Sequence, residues 1–449
     1  MKVIIIGCTH AGTTAAKTIL KRNEDVQISI YEKNDNVSFL SCGIALYIGG
    51  VVKDKKGLFY SNSEELKQMG ANIKLKHEVL NIDFVKKEIL VKDLEKNKEF
   101  IDNFDKLVIS MGSWPIIPQI EGVNCNNVLL SKNFEHANKI IEYAKNIKKI
   151  VVIGAGYIGV ELAESFAKQN KDVVLIDTQD RIMSKYLDKE FTDIAEKTLL
   201  ENNVKLMLGQ KVSDFKIKNG LVTHVKTDKG CYETELVIMC ISFKPNTELV
   251  QPYLKTSSNG ALIVNSFLQT SNPDVYACGD CTNIFYNPTQ EYNYIPLATN
   301  AVRMGTIIGL NIKENNQKYL GTQGTSGIKI FDLSISSTGL TEYVAKSLNI
   351  NYGVIKIKDA NRPEFMPDYD SVFLKVIFNK NTKQILGGQI LSTIDMTEKI
   401  NTLSVCIQKK MTIDELAFVD FFFHPYFNKP FSLLNLAGLK YLETFSEKK

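Results

Sequence analysis

Two stretches of the chain share one hydrophobic pattern. KVIIIGCTHAG (2–12) and KIVVIGAGYIG (149–159) each open with a run of β-branched residues, turn at a glycine, and continue with apolar positions at helical spacing. An unbroken aliphatic run predicts a strand buried on both faces, as in parallel sheets covered by helices. A second strand then ends in an acid: VQISIYEKND carries Glu32 and DVVLIDTQD carries Asp177. Strand, glycine turn, helix, strand and acid therefore occur twice, predicting an α/β fold with two Rossmann-like units.

From about residue 321 the pattern changes. SVFLKVIF and QILGGQIL alternate as strands, and helical spacing follows over 395–418, an α+β module. FVDFFFHPYFN (418–428) is dense in aromatic residues, placed in a core by default, with an interface cluster as the alternative. The expected division is a discontinuous first nucleotide domain (1–112 and 247–320), a second between its parts (113–246) and a C-terminal domain (321–449). The length of 449 residues suits about three domains of ~150 residues each.

Composition narrows the class. Hydrophobic residues make up 44% and charged residues 23%, as in an ordinary globular protein. The formal charge of +4 is spread among glutamates and asparagines, a solvated surface and not a nucleic-acid footprint. No run approaches the ~18 apolar residues of a membrane span, and MKVIIIG is too short for a signal peptide, so the expected compartment is the cytoplasm. There the eight scattered cysteines should be thiols, and a special one would be redox-active. Cys278 and Cys281 form a C-x-x-C without a second pair to complete a zinc site, so no metal is expected.

The glycine turns carry the first chemistry. Gly154, Gly156 and Gly159 complete a G-x-G-x-x-G, whose backbone admits a pyrophosphate at a helix N-terminus. The other copy keeps Gly7 and Gly12 but has Thr9 at the middle position. Glu32 and Asp177 sit where an acid binds ribose hydroxyls, and a carboxylate at Asp177 suits NAD over NADP, although Arg181 lies four residues on. TSNPDVYACGD (270–280) is a strand running into Asp280, and YIPLATNAVRMG follows with Pro296 able to open a helix. Alone, Asp280 reads as a turn aspartate.

These fingerprints, with SFLSCG, NYIPLATNAVR, GTQGTSG, NRPEFMP and MTIDELAFVDFFFHPYFNKP, resemble the FAD/NAD(P)-dependent pyridine nucleotide-disulfide oxidoreductases over essentially the whole chain. Within them the likeness is to the single-cysteine branch, which includes NADH oxidases, NADH peroxidases and coenzyme A-disulfide reductases. The resemblance implies FAD at the first fingerprint, NADH at the second, and a C-terminal dimerisation domain making a homodimer. Implied FAD contacts are Gly7, Cys8, Thr9, His10, Ala11, Gly12, Glu32, Cys42, Val79, Ser110, Met111, Gly112, Ser113, Lys132, Asp280 and Ala298. Implied NADH contacts are Ile158, Asp177, Tyr186 and Ser242, beside the glycines of the second turn. Ser242 and Lys244 depart from the G-x-R-P-N of the family, and His424 lacks the downstream glutamate of the disulfide reductases, so it reads as structural.

Cys42 and His10 are the expected catalytic pair. Cys42 follows Ser41 and reads as opening a short helix (CGIALYIGG), whose N-terminus would stabilise a thiolate; the plain alternative is a buried hydrophobe. Disulfide reductases have C-x-x-x-x-C here, whereas this chain has Tyr47 at the second position. A lone thiolate cycles through sulfenic acid, and Cys8 would resolve it only if the fold brought that loop within bonding range. His10, bulky for a phosphate loop, is either an acid/base group for Cys42 or filler against the flavin. The implied activity is oxidation of two NADH with reduction of O2 to water. The alternatives are peroxide reduction, coenzyme A-disulfide reduction and a non-catalytic redox sensor.

Overall fold

The strand Lys2–Ile6 lies at the centre of a five-stranded parallel sheet in the order 275–277, 106–109, 2–6, 27–32, 72–75. The strand Lys149–Ile153 holds the same place in a second parallel sheet, ordered 204–207, 172–176, 149–153, 236–239, 128–130. Val3, Ile4, Ile5, Val151 and Val152 are fully buried, as expected of strands covered on both faces. Each such side chain contributes roughly 1.5–3 kcal/mol by leaving water. The computed structural model describes residues 1–23 and 25–445. Among these, no helix is long and apolar enough to cross a membrane.

The repeat extends further than the fingerprints. A three-stranded antiparallel sheet (77–83, 88–93, 98–103) interrupts the first unit before its strand Lys106–Ile109, and another (212–218, 221–227, 231–233) interrupts the second before Leu236–Met239. The strand Val275–Ala277 pairs with Lys106–Ile109, so the chain returns to its first sheet after building the second. The helix Ala298–Asn311 then lies along His10–Arg22. A Cβ on Gly305 would meet the Ala11 carbonyl oxygen at 2.4 Å, and one on Gly309 would meet Thr18 Cβ at 2.4 Å. Those glycines let the two backbones approach. The helix starts at Ala298, two residues beyond Pro296.

The C-terminal sheet is antiparallel, ordered 326–330, 333–339, 385–392, 371–379, 352–360, with helices Lys399–Gln408 and Leu433–Phe445 packed on it. Its aromatic stretch is not core. Phe418 is 74% exposed and Phe422 69%, while Phe423, Tyr426, Phe427 and Phe431 are exposed beside them. A core needs apolar neighbours on every side, and this segment runs between two elements over the surface.

Candidate functional site

The two glycine turns are built alike. Gly7 N donates to Tyr31 O at 2.9 Å, and Gly154 N donates to Ile176 O at 2.7 Å. A Cβ on Gly7 would come within 2.4 Å of the Ser110 carbonyl oxygen, and one on Gly154 within 2.3 Å of that of Cys240. Both glycines have positive φ, which the turn requires. The acids then fix the turns: Glu32 Oε2 accepts from Cys8 N at 2.6 Å, and Asp177 Oδ2 accepts from Ala155 N at 2.5 Å. Glu32 also accepts from Asn34 N at 2.8 Å and Asn34 Nδ2 at 2.6 Å, while burial pushes its carboxyl pKa up.

The copies differ at the middle position. A Cβ on Gly156 would meet nothing within 4 Å, so the approach to this turn is open. In the first turn, Thr9 stands at that place and His10 begins the helix. The Tyr60 ring lies parallel to the His10 ring at 5.8 Å, and its hydroxyl donates to Thr9 O at 3.1 Å. His10 Nε2 is buried without a hydrogen-bond partner, and burial lowers the imidazole pKa, leaving it neutral.

Cys42 sits in a 3-10 turn, Ser41–Gly43, ahead of the five-residue helix Ile44–Ile48. Ser38, at φ 59°, bends the chain into this turn; its N donates to Cys8 O at 2.9 Å and its Oγ to Ser61 O at 2.6 Å. The expectation of a thiolate-stabilising helix end is corrected here. Cys42 is exposed, yet its thiol pKa is raised, first by the surrounding protein and next by the Glu161 carboxylate. A helix of five residues offers little dipole to oppose that. Cys8 does not face Cys42: its side chain is buried in the first core, 3.4 Å from Thr13 Oγ1, and burial pushes its thiol up to about 12. Tyr47 packs its ring on Phe134 at 6.5 Å.

A polar cluster faces this turn. Ser113 Oγ donates to Asp280 Oδ2 at 2.8 Å, and Lys132 Nζ reaches Ser113 Oγ at 2.9 Å and Asp280 Oδ2 at 3.3 Å. Lys132 also lies 4.4 Å from the centre of the Phe243 ring. The charges of Asp280 and Lys132 act on both His10 and Cys42. The Tyr294 hydroxyl is buried, unpartnered, and raised in pKa by burial and by Asp280. Ser110 spends its hydroxyl on Ile6 O and Gly7 O, at 2.9 and 2.8 Å. Gly112 has positive φ and open space at its Cβ position, and Met111 packs on the first core. Val79 packs on the same core from the strand His77–Asp83.

Beside the second turn, Tyr157 and Tyr186 stand 4.6 Å apart, and Ile158 packs on the second core. The Tyr157 hydroxyl is 2.8 Å from Ser326 Oγ in the C-terminal sheet. Ser242 is exposed and its carbonyl accepts from Ile116 N at 2.9 Å; Lys244 pairs with Glu248 at 2.6 Å. Arg181 turns away from Asp177: its Nη1 donates to Leu187 O at 3.2 Å, and its guanidinium lies 5.8 Å from the Tyr343 ring centre. His424 Nδ1 accepts from Tyr426 N at 3.3 Å within the aromatic stretch.

The first turn fits FAD. It offers a loop with no room for a Cβ at Gly7, a buried acid beyond it, and two unpartnered buried polar atoms, His10 Nε2 and Tyr294 Oη, near Cys42 and Asp280. Two contributors escaped the sequence reading. Tyr60 covers His10 from fifty residues away. Glu161 lies on the helix Tyr157–Ala167, which packs on the Cys42 helix through Ser165 Oγ to Ala45 O at 2.9 Å. Burial pushes the Glu161 carboxyl up to about 7. The G-Y-I-G-V-E spacing was the only signal for Glu161, and for Tyr60 there was none.

Comparison with known proteins agrees with this layout. The family model for pyridine nucleotide-disulphide oxidoreductases matches residues 1–305, and that of their dimerisation domain matches 325–433. An NADH oxidase of Enterococcus faecalis is 48% identical over 444 residues, 99% of this chain and 100% of the relative. The water-forming NADH oxidase from Lactobacillus brevis, solved bound to NADH, superposes with a TM-score of 0.97 at 47% identity, covering 99% of this chain and 98% of the other. The NAD-dependent persulfide reductase from A. fulgidus superposes at 0.94 and 29% identity, over 99% of this chain and 83% of the other.

Proposed function

The chain belongs to the pyridine nucleotide-disulphide oxidoreductases, and from that membership we propose that it is an FAD-dependent NADH oxidase that reduces O2 to water through Cys42. FAD supplies the two-electron relay between NADH and oxygen that no side chain offers. The turn Gly7–Gly12 and Glu32 would hold its pyrophosphate and ribose, with Cys42, Val79, residues 110–113, Lys132, Asp280 and Ala298 around the remainder. Gly154, Gly156 and Gly159 take the NADH pyrophosphate and Asp177 its ribose, with Ile158, Tyr186 and Ser242 alongside. The domain division 1–112 with 247–320, 113–246 and 321–449 belongs to the same reading. So does a homodimer through the C-terminal domain. A cytoplasmic setting is supported by cysteines that are all free among the described residues.

One observation carries the cysteine's role: Cys42 is an exposed lone thiol, with Cys8 buried in a core and Tyr47 packed where a second cysteine would stand. The free Nε2 of neutral His10 takes the Cys42 proton. The Cys42 sulfur attacks one oxygen of hydrogen peroxide formed from O2 and the first NADH. The S–O bond forms as the O–O bond breaks, and hydroxide leaves, protonated by His10, as water. Cys42 sulfenic acid accepts the hydride equivalent of a second NADH and becomes thiolate and a second water, and a proton from solvent restores the thiol. Two NADH, two protons and one O2 give two NAD+ and two waters.

An oxygen electrode tests the proposal. The purified protein with NADH should consume O2 and return none when catalase is added late, while Cys42→Ser should return oxygen because it releases peroxide. No O2 uptake by the native protein points to the peroxidase alternative, and full water formation by Cys42→Ser removes the cysteine from the cycle.

A further inference from the structure

The loop that runs from Asp177 through Tyr186 is fastened at its far end to the C-terminal sheet. Lys375, on the strand Ser371–Asn379, is 0% exposed, and its Nζ lies 2.9 Å from Asp188, 2.9 Å from Glu190 and 2.7 Å from Glu342. Asp188 and Glu190 close the loop, and Glu342 begins a helix of the C-terminal domain. Gln389 grips Asp188 at both ends of its amide: Asp188 N donates to Oε1 at 2.7 Å, and Nε2 donates to the carboxylate at 2.7 Å. The same carboxylate accepts from Glu342 N and Tyr343 N, at 3.0 and 3.1 Å. Arg181 makes a second tie, from Leu187 O to the Tyr343 ring.

Stability alone does not call for this arrangement. A buried ammonium among three carboxylates carries a large desolvation cost, and apolar packing of equal volume would serve as well. What charge and directed hydrogen bonds add is a single permitted register between the parts they join. The parts joined are the C-terminal sheet and a loop whose Tyr186 stands 4.6 Å from Tyr157, a residue itself held to that sheet through Ser326.

We infer that Lys375 is a positioning residue for NADH: through Asp188 and Gln389 it sets where the Asp177–Asp188 loop and Tyr186 stand, without touching the nucleotide. This rests on the reading that Asp177 and Tyr186 face NADH. Steady-state kinetics with NADH on Lys375→Gln, Lys375→Arg, Gln389→Leu and Asp177→Ala, with bound flavin and melting temperature measured alongside, tests it. Lys375→Gln should raise KM for NADH about fivefold and Gln389→Leu about threefold, with kcat at saturating NADH within about twofold, since register and not chemistry is lost. Lys375→Arg should recover most of the KM. If Lys375→Gln does not fold, Gln389→Leu decides, because it leaves no charge unpaired. A raised KM in Asp177→Ala with unchanged KM in the folded loop variants overturns the inference and leaves the nucleotide reading intact. Loss of flavin or of melting temperature with no change in KM also overturns it. An unchanged KM in Asp177→Ala overturns the nucleotide reading itself.

Discussion

Tyr60 lies flat against His10, ring centres 5.8 Å apart and planes 4° from parallel, with its hydroxyl on the Thr9 carbonyl. It separates the imidazole from the cleft of about 670 Å³ that Tyr60 itself lines. Tyr60→Ala should open His10 to water and lower water-forming turnover about tenfold, with peroxide escaping, whereas Tyr60→Phe, which keeps the ring, should lose no more than about threefold. Peroxide released per NADH consumed is the measurement; equal losses in the two variants would mean that the hydroxyl, not the cover, matters.

Glu161 should govern the pH dependence of Cys42. Its carboxyl titrates at about 7, and its charge raises the Cys42 thiol. As pH rises through 7 the carboxylate forms and makes the thiolate harder to reach. Glu161→Gln should therefore speed iodoacetamide alkylation of Cys42 at pH 8 by about threefold, with little effect at pH 6. Stability follows the same group. Between pH 4.5 and about 7 the unfolded chain has released a proton that the folded chain keeps, so stability falls as pH rises across that window. The Gln variant should flatten that slope in urea titrations.

Asp177 should decide between the two nicotinamide cofactors. Its Oδ1 accepts from Gln179 N at 2.8 Å and its Oδ2 from Ala155 N, so the carboxylate is fixed at the end of its strand. Asp177→Ala should raise KM for NADH about tenfold and lower the barrier to NADPH by removing repulsion of the 2′-phosphate. Because Arg181 is engaged with Leu187 and Tyr343, NADPH should still not surpass NADH. The ratio of kcat/KM for the two substrates reads this directly.

The exposed aromatic stretch should hold two subunits together. Phe427→Asp places a charge within the patch formed by Phe418, Phe422 and Tyr426 and should shift the protein to monomer in light scattering at micromolar concentration. Its melting temperature should change little if measured on the monomer, since the residue is exposed in a single chain. A Phe427→Asp protein that stays dimeric places the interface elsewhere.

The parts of the fold legible in the sequence were those written in neighbouring residues. The runs at 2–6 and 149–153, their glycines and the acids at 32 and 177 specify a βαβ unit through local sterics and burial, and the structure returns both units with matching bonds. The C-terminal α+β pattern was legible for the same reason. The aromatic stretch at 418–428 was left between core and interface because composition reports that residues seek burial, not which surface supplies it. The raised Cys42 thiol was not legible because its turn precedes a helix of only five residues and Glu161 acts on it from more than a hundred residues away. Tyr60 over His10 and Lys375 beneath Asp188 are likewise long-range meetings, set by packing between units that no local pattern encodes.

Thr9 and Gly156 hold equivalent places in the two turns but stand in unlike surroundings. At Thr9 the carbonyl accepts from the Tyr60 hydroxyl, and the Tyr60 ring lies parallel to that of the next residue, His10. Over Gly156 nothing stands in the way. The same cradle, used twice, is thus finished in two ways: one turn is flanked by a pair of rings, and the other is left with room for a side chain it does not carry.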